Sequence, residues 1–202
     1  MGVALTSLTC AIPPMILDCL QRHLAVCSQP DLPNWSKDQP NFWNLISIRE
    51  PTRPRIDPAG FCRIHAIVCH DVVGTEGISE EDRKTLILPD IDHVRGVFAF
   101  ADETGSEPLL VHCWAGVSRS TAMALGLIVR GMHWDGYEPE EIAEEAPTIL
   151  LDLRPRAAPN ALVLRLALEE IYRDAEIAES LLRDLLNHPG FFGNFFSGAS
   201  PG

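Results

Sequence analysis

Between positions 109 and 121 the chain reads LLVHCWAGVSRST: an apolar run that ends on Cys113, turns through Trp114, Ala115, Gly116, Val117 and Ser118, and reaches Arg119 six positions later. A buried strand that ends in a tight loop and enters a helix aims several backbone N–H groups at one point, and the helix start adds partial positive charge there. Ala115 and Gly116 let the backbone curl closely around a ligand. The Arg119 guanidinium presents a planar fork of donors suited to two phosphate oxygens, and a cysteine in the same field has its thiolate stabilised. The segment is therefore expected to hold a phosphate dianion against a sulfur nucleophile, Cys113, with Trp114 to Arg119 as the binding surface. The Ser120 hydroxyl is placed to stabilise the thiolate when it departs, and His112 to order the loop through hydrogen bonds. For Trp114, shaping substrate access and packing against a neighbouring loop are equally weighted readings.

A thiolate that displaces an alkoxide or phenoxide from phosphorus needs a proton for the leaving oxygen, and the stretch itself holds no acid. Upstream stand Asp71, Glu76, Glu80, Glu81, Asp82, Asp90 and Asp92. Asp71 follows the end of a strand expected within 61–69, at the sheet edge where the Cys113 strand also ends, and open α/β sheets build their sites at that edge. Asp71 is the first choice for the acid. The Glu80-Glu81-Asp82 group is the alternative, and Asp90 reads as a helix N-cap.

The elements that must position these residues follow from the apolar pattern. FWNLISI at 42–48, FCRIHAIVC at 61–69 and PLLVH at 108–112 read as strands. Residues 89–101 and 120–132 read as helices, the second largely apolar and so buried. A short acidic helix is expected over 138–146 and a long one over 160–186. Residues 14–26 place Ile16, Leu17, Leu20 and Leu24 on one helical face, and SQPDLPNWSKDQPN reads as a loop. Alternating strands and helices imply an α/β fold with a central, mostly parallel sheet of four to five strands flanked by helices. Residues 1–190 are expected to form one domain, and 191–202 a tail too rich in Gly and Ser for regular structure, which is either disordered or docks its four phenylalanines on a groove.

Composition limits the function classes. A formal net charge of -12 disfavours broad contact with nucleic acid or an anionic membrane, which needs clustered Lys and Arg. Neither partner is expected, so any phosphate must be captured locally. The six cysteines have neither paired zinc-ligand spacing nor disulfide-scaffold density, which suits a reducing compartment, and the chain reads as cytoplasmic. On a strand, Cys62 and His65 point to opposite faces, as do Cys69 and His70, so these four do not converge on a metal. Arg49, Arg53 and Arg55 read as a solvated loop in preference to an extension of the phosphate field.

HCWAGVSRST resembles the phosphate-binding loop of the protein tyrosine phosphatase superfamily, and its AGVSRS form is similar to the dual-specificity branch. HDVV at 70–73 is similar to that family's general-acid loop, and RPRAAPNALVLRL at 154–166 resembles the segment that opens its last core helix. The resemblance spans about residues 42–172 and is greatest to the compact bacterial tyrosine-phosphatase-like members. It implies the cysteine-phosphatase fold, attack by Cys113, phosphate binding by Arg119 and the loop amides, acid and then base catalysis by Asp71, and no metal or cofactor. The substrate would be a phosphorylated protein or a small phosphomonoester. The loop lacks extra Lys residues, which disfavours a polyanionic lipid head group. A module that binds a phospho-ligand with little catalysis is the alternative, and a sulfur carrier with a similar cysteine loop is a third class.

Overall fold

The computed structural model describes residues 15–53, 59–73 and 79–197. Arg55 and Glu76 lie outside the described residues, as does the side chain of Asp82. The apolar run before Cys113 becomes the centre of the sheet: strand β5 (Leu109–Cys113) is buried at every position. It lies between β2 (Arg22–Ser28) and β3 (Asn44–Arg49) and is parallel to both. A continuous apolar strand is what a parallel sheet covered on both faces demands. Beyond β3 the parallel ladder continues into β4 (Ile64–Val68), and short β1 (Met15–Leu17) pairs antiparallel with β2 at the other edge. The order β1-β2-β5-β3-β4 is the mostly parallel five-stranded sheet of an α/β fold.

Helix α1 (Leu32–Asp38) covers one face through a small cluster that includes Leu32, Trp35, Trp43 and Phe61. Short α2 (Glu80–Thr85) precedes the larger layer on the other face. There α3 (Ile91–Glu103) and α4 (Arg119–Trp134) join α5 (Pro139–Leu153), α6 (Ala161–Ile171) and α7 (Ala175–Leu186) in the main core. Helix α4 is buried from Arg119 through Val129 without a break, so no solvent-facing stripe interrupts its apolar sequence. Asp90 caps α3 as expected, with Oδ1 accepting from His93 N at 2.9 Å.

Besides α5, which runs to Leu153 where a short helix over 138–146 is expected, four segments depart from the sequence expectation. Residues 15–26, the described part of the helix expected over 14–26, are not a helix: β1, a single helical turn and β2 follow one another, with the reversal at Gln21 in the left-handed region (φ 52°). Leu17 and Leu24 are buried, as they would be on a helix, so apolar spacing alone could not separate the two. What decides is the ladder from Leu24–Leu109 to Ser28–Cys113, which satisfies the backbone of β5 on its open side. Helix α1 occupies the segment expected as a loop, with Pro33 in its first turn, where a missing N–H costs nothing. The long helix at 160–186 breaks at Tyr172, and Asp174 starts α7 by accepting from Glu176 N at 2.8 Å.

The fourth departure is at the C-terminal end, where Pro189–Ser197 forms helix α8. Its composition disfavours regular structure, yet Phe191 is fully buried in the main core, and that burial offsets weak local propensity. Phe191→Ala is expected to cost about 3–5 kcal/mol of stability, read as a lower urea midpoint for the full chain. A tail outside the domain would leave the midpoint unchanged.

Candidate active site

The loop from Trp114 to Ser118 is held from outside, carbonyl by carbonyl. Trp114 O accepts from Gln29 N at 3.1 Å, Ala115 O from Arg154 Nη2 at 3.2 Å and Gly116 O from Arg154 Nε at 2.8 Å. Val117 O accepts from Ala158 N at 2.9 Å and from the Thr121 hydroxyl; Ser118 O accepts from Ala122 N at 3.0 Å, Thr121 Oγ1 at 2.8 Å and Asn160 N at 3.3 Å. Because a trans peptide unit is planar and its C=O and N–H point in opposite directions, fixing the carbonyls outward aims the amides the other way. Among the described residues the amides of Ala115 to Ser118 have no acceptor. Gly116 permits the curl: its φ is 67°, and a Cβ there would stand 2.6 Å from the carbonyl carbon and oxygen of Cys27.

Cys113 ends β5 at 1% exposure, and its sulfur lies 3.1 Å from Ser120 Oγ in the first turn of α4. Arg119 is equally enclosed, at 2%. Its Nη1 donates to Cys69 O and its Nη2 pairs with Glu50 Oε2 at 2.7 Å. The remaining Nε is buried with no hydrogen-bond partner among the described residues, 3.5 Å from Asp71 Oδ2. A buried guanidinium N–H without an acceptor is costly unless a ligand supplies one.

Asp71 is brought to this site. Its Oδ1 accepts from Ser118 Oγ at 2.7 Å and from Asn160 Nδ2 at 2.8 Å. Asn160 also caps α6, its Oδ1 accepting from Val163 N at 3.0 Å, and its Nδ2 reaches Val72 O at 3.1 Å. Glu80 and Glu81 are exposed at the start of α2, and Asp92 pairs with Arg95 at 3.7 Å on the outer side of α3. Among the described contacts none joins these three carboxylates to Cys113 or Arg119. Glu50, Arg154 and Asn160 have no individual role legible in the sequence, although the last two lie in the 154–166 segment. Glu50 carried no signal beyond its place just past a strand end.

The four residues weighed as metal ligands have separate partners. Cys62 Sγ donates to Asn41 O at 2.8 Å, and His65 stacks on Phe100 with ring centroids 5.5 Å apart. His70 Nδ1 accepts from Ile87 N at 2.9 Å, and burial pushes the Cys69 thiol up to about 11. Trp114 carries the Arg53 guanidinium 4.3 Å above its ring, so the loop packing weighed for this residue is present. Arg49 Nε donates to Ser47 Oγ at 3.3 Å.

His112 sits beneath the loop, 2% exposed, with Nε2 2.8 Å from Ser47 Oγ. Burial lowers its pKa to about 4. The unfolded ring binds its proton near the ordinary value of about 6.5 and the folded ring resists it, so this contribution to stability is complete above about 6.5 and declines as pH falls toward 4. The wild-type chain should lose up to about 3 kcal/mol across that window relative to His112→Gln, measured by urea denaturation. Parallel pH profiles for the two proteins would refute the assignment.

No family model matches the sequence, and no curated protein does. Solved structures do. OH1 from the Orf virus, a tyrosine phosphatase, matches at TM-score 0.50 and 20% identity over 77% of this chain and 86% of its own. DUSP15 matches at TM-score 0.49 and 20% identity over 83% and 93%. The human tyrosine phosphatase-like serine/threonine/tyrosine-interacting protein matches at 0.46 and 21% over 71% and 84%. A parallel sheet whose central strand ends on the cysteine of an outward-anchored loop, together with the likeness to the viral enzyme, gives this chain the fold of the protein tyrosine phosphatase superfamily.

Proposed function

We propose that this chain is a cysteine-dependent phosphomonoester hydrolase of the tyrosine or dual-specificity type, acting on a phosphorylated protein or a small phosphomonoester. The observation that carries the reading is the buried Nε of Arg119, a donor without a hydrogen-bond partner among the described residues, beside the inward-facing amides around Cys113. Those donors suit the oxygens of a phosphate dianion. The Cys113 thiolate attacks phosphorus, the P–O bond to the leaving group breaks, and Asp71 gives its proton to the departing oxygen. Water then attacks the cysteinyl phosphate and passes a proton to Asp71, and Ser120 Oγ donates to the sulfur as the P–S bond breaks. Glu50 and Cys69 O fix the rotation of the Arg119 fork. The free thiols at Cys19, Cys27, Cys62 and Cys69 suit a reducing compartment, and we place the protein in the cytoplasm on that ground.

Cys113→Ser is expected to abolish hydrolysis of an aryl phosphate while vanadate still binds, because Arg119 and the loop amides persist. Substantial residual turnover would remove the sulfur nucleophile. Binding without product from the unaltered chain would reduce the site to a phospho-ligand module.

Asp71→Asn keeps an acceptor for Ser118 and Asn160 but removes the transferable proton. Turnover of an alkyl phosphate should fall by about 100-fold or more, and turnover of a substrate with a good leaving group much less. Equal losses on both substrates, or collapse only on changing Glu80, Glu81 or Asp82, would place the acid elsewhere.

A further inference from the structure

The geometry points to Asn194, on the C-terminal helix α8, as a positioning residue for the phosphate-binding loop. Phe191 anchors α8 in the core, and Asn194 lies three residues on, on the same side of the helix. Its Nδ2 donates to Pro155 O and to Ala157 O, both at 2.9 Å, with Gly190 O of its own helix at 3.5 Å. Those first two carbonyls belong to the turn between α5 and α6.

That turn is the outer clamp of the loop. It supplies Arg154 to Ala115 O and Gly116 O, Ala158 N to Val117 O, and Asn160 to both Ser118 O and Asp71. It has little means of stiffening itself, since Pro155 and Pro159 lack N–H groups. Its one backbone bond across the bend runs from Ala157 N to Arg154 O at 2.9 Å. The two Asn194 protons therefore fix the carbonyls on either side of Arg156, and through them the Arg154 guanidinium and the Ala158 amide. A side chain 39 and 37 residues in sequence from the two carbonyls it holds thus sets where the loop amides point.

The effect on turnover rests on the phosphatase reading; the brace itself does not. The discriminating variant is Asn194→Asp in the full chain, which keeps size and shape but replaces both donors with an acceptor facing two carbonyls. Asn194→Ala, which only deletes the contact, accompanies it. We expect the Ala158 amide to exchange with solvent about 10-fold faster or more in the Asp variant, as its bond to Val117 O loosens, while amides in the middle of α4 keep their protection. The vanadate inhibition constant should rise and kcat fall by about 10-fold each, with a smaller effect in Asn194→Ala, since a 1 Å displacement of such a site costs up to about 100-fold. In an Arg154→Ala background the Asp substitution should add less than about 2-fold, because coupled residues are not additive. Wild-type exchange at Ala158 in the Asp variant overturns the brace, whether or not the chain proves to be a phosphatase. Faster exchange with full additivity on Arg154→Ala overturns the route through that residue. If the unaltered chain neither binds vanadate nor turns over an aryl phosphate, the phosphatase reading fails, and exchange at Ala158 still decides the brace.

Discussion

Each carbonyl from Trp114 to Ser118 is bonded by a donor outside the loop, and the arrangement of the site depends on that constraint. A loop of five residues around a small anion needs its N–H groups convergent, and convergent dipoles repel one another when no anion is between them. Left alone, the backbone would rotate some peptide units to separate the N–H groups. Five outward anchors make that rotation expensive, because each flipped unit would bury an unpaired carbonyl at about 1–3 kcal/mol. The amides are thus set before a ligand arrives, which is the condition for electrostatic preorganisation.

The fold can be read as the set of elements that carry those anchors. Gln29 follows β2, the neighbour of β5 on one side; Thr121 and Ala122 lie in the first turn of α4; Arg154 ends α5, and Ala158 and Asn160 lead into α6. The close approach of Gly116 to Cys27 and Ser28 comes from the same β2–β5 register that aligns Ser28 with Cys113. A slip of that register by one residue would exchange the two faces of β2 and move the backbone on which the loop rests. The sheet does more than present Cys113 at its edge, since it also supplies the backbone against which Gly116 packs.

Local chemistry was legible in the sequence where distant chemistry was not. Cys113, Gly116, Arg119 and Ser120 lie within eight consecutive residues, so turn geometry and donor type could be read together, and Asp71 could be placed because a strand end fixes a position. Asp90 and α3 were legible from capping chemistry and the helical spacing of Ile91, Val94, Phe98 and Ala101. Glu50 owes its role to long-range packing and no local pattern marks it; Arg154 lies in a marked segment, but its bonds to Ala115 O and Gly116 O are long-range. The helix expected over 14–26 failed for a related reason: a hairpin and a helix can bury the same Leu17 and Leu24, and only β5, more than eighty residues away, decides between them. Helix α8 was illegible because its local propensity is poor and its stability comes from the pocket that receives Phe191.

The charge distribution explains why the anchors matter more here than the arginine count suggests. The chain carries a formal charge of -12, and Arg119, the one enclosed cation of the site among the described residues, is paired with Glu50 and faces Asp71. The sum over those three groups opposes a dianion if both carboxylates are charged, and at an effective dielectric near 20 a unit charge 4 Å away amounts to about 4 kcal/mol. Peptide dipoles are not neutralised by neighbouring carboxylates as a guanidinium is. Together with the start of α4, equivalent to about half a positive charge, they form an attractive field that an acidic surface leaves in place. On the proposed reading, capture of phosphate in such a chain rests on the direction of uncharged groups, and direction is the property that the outward hydrogen bonds of the loop maintain.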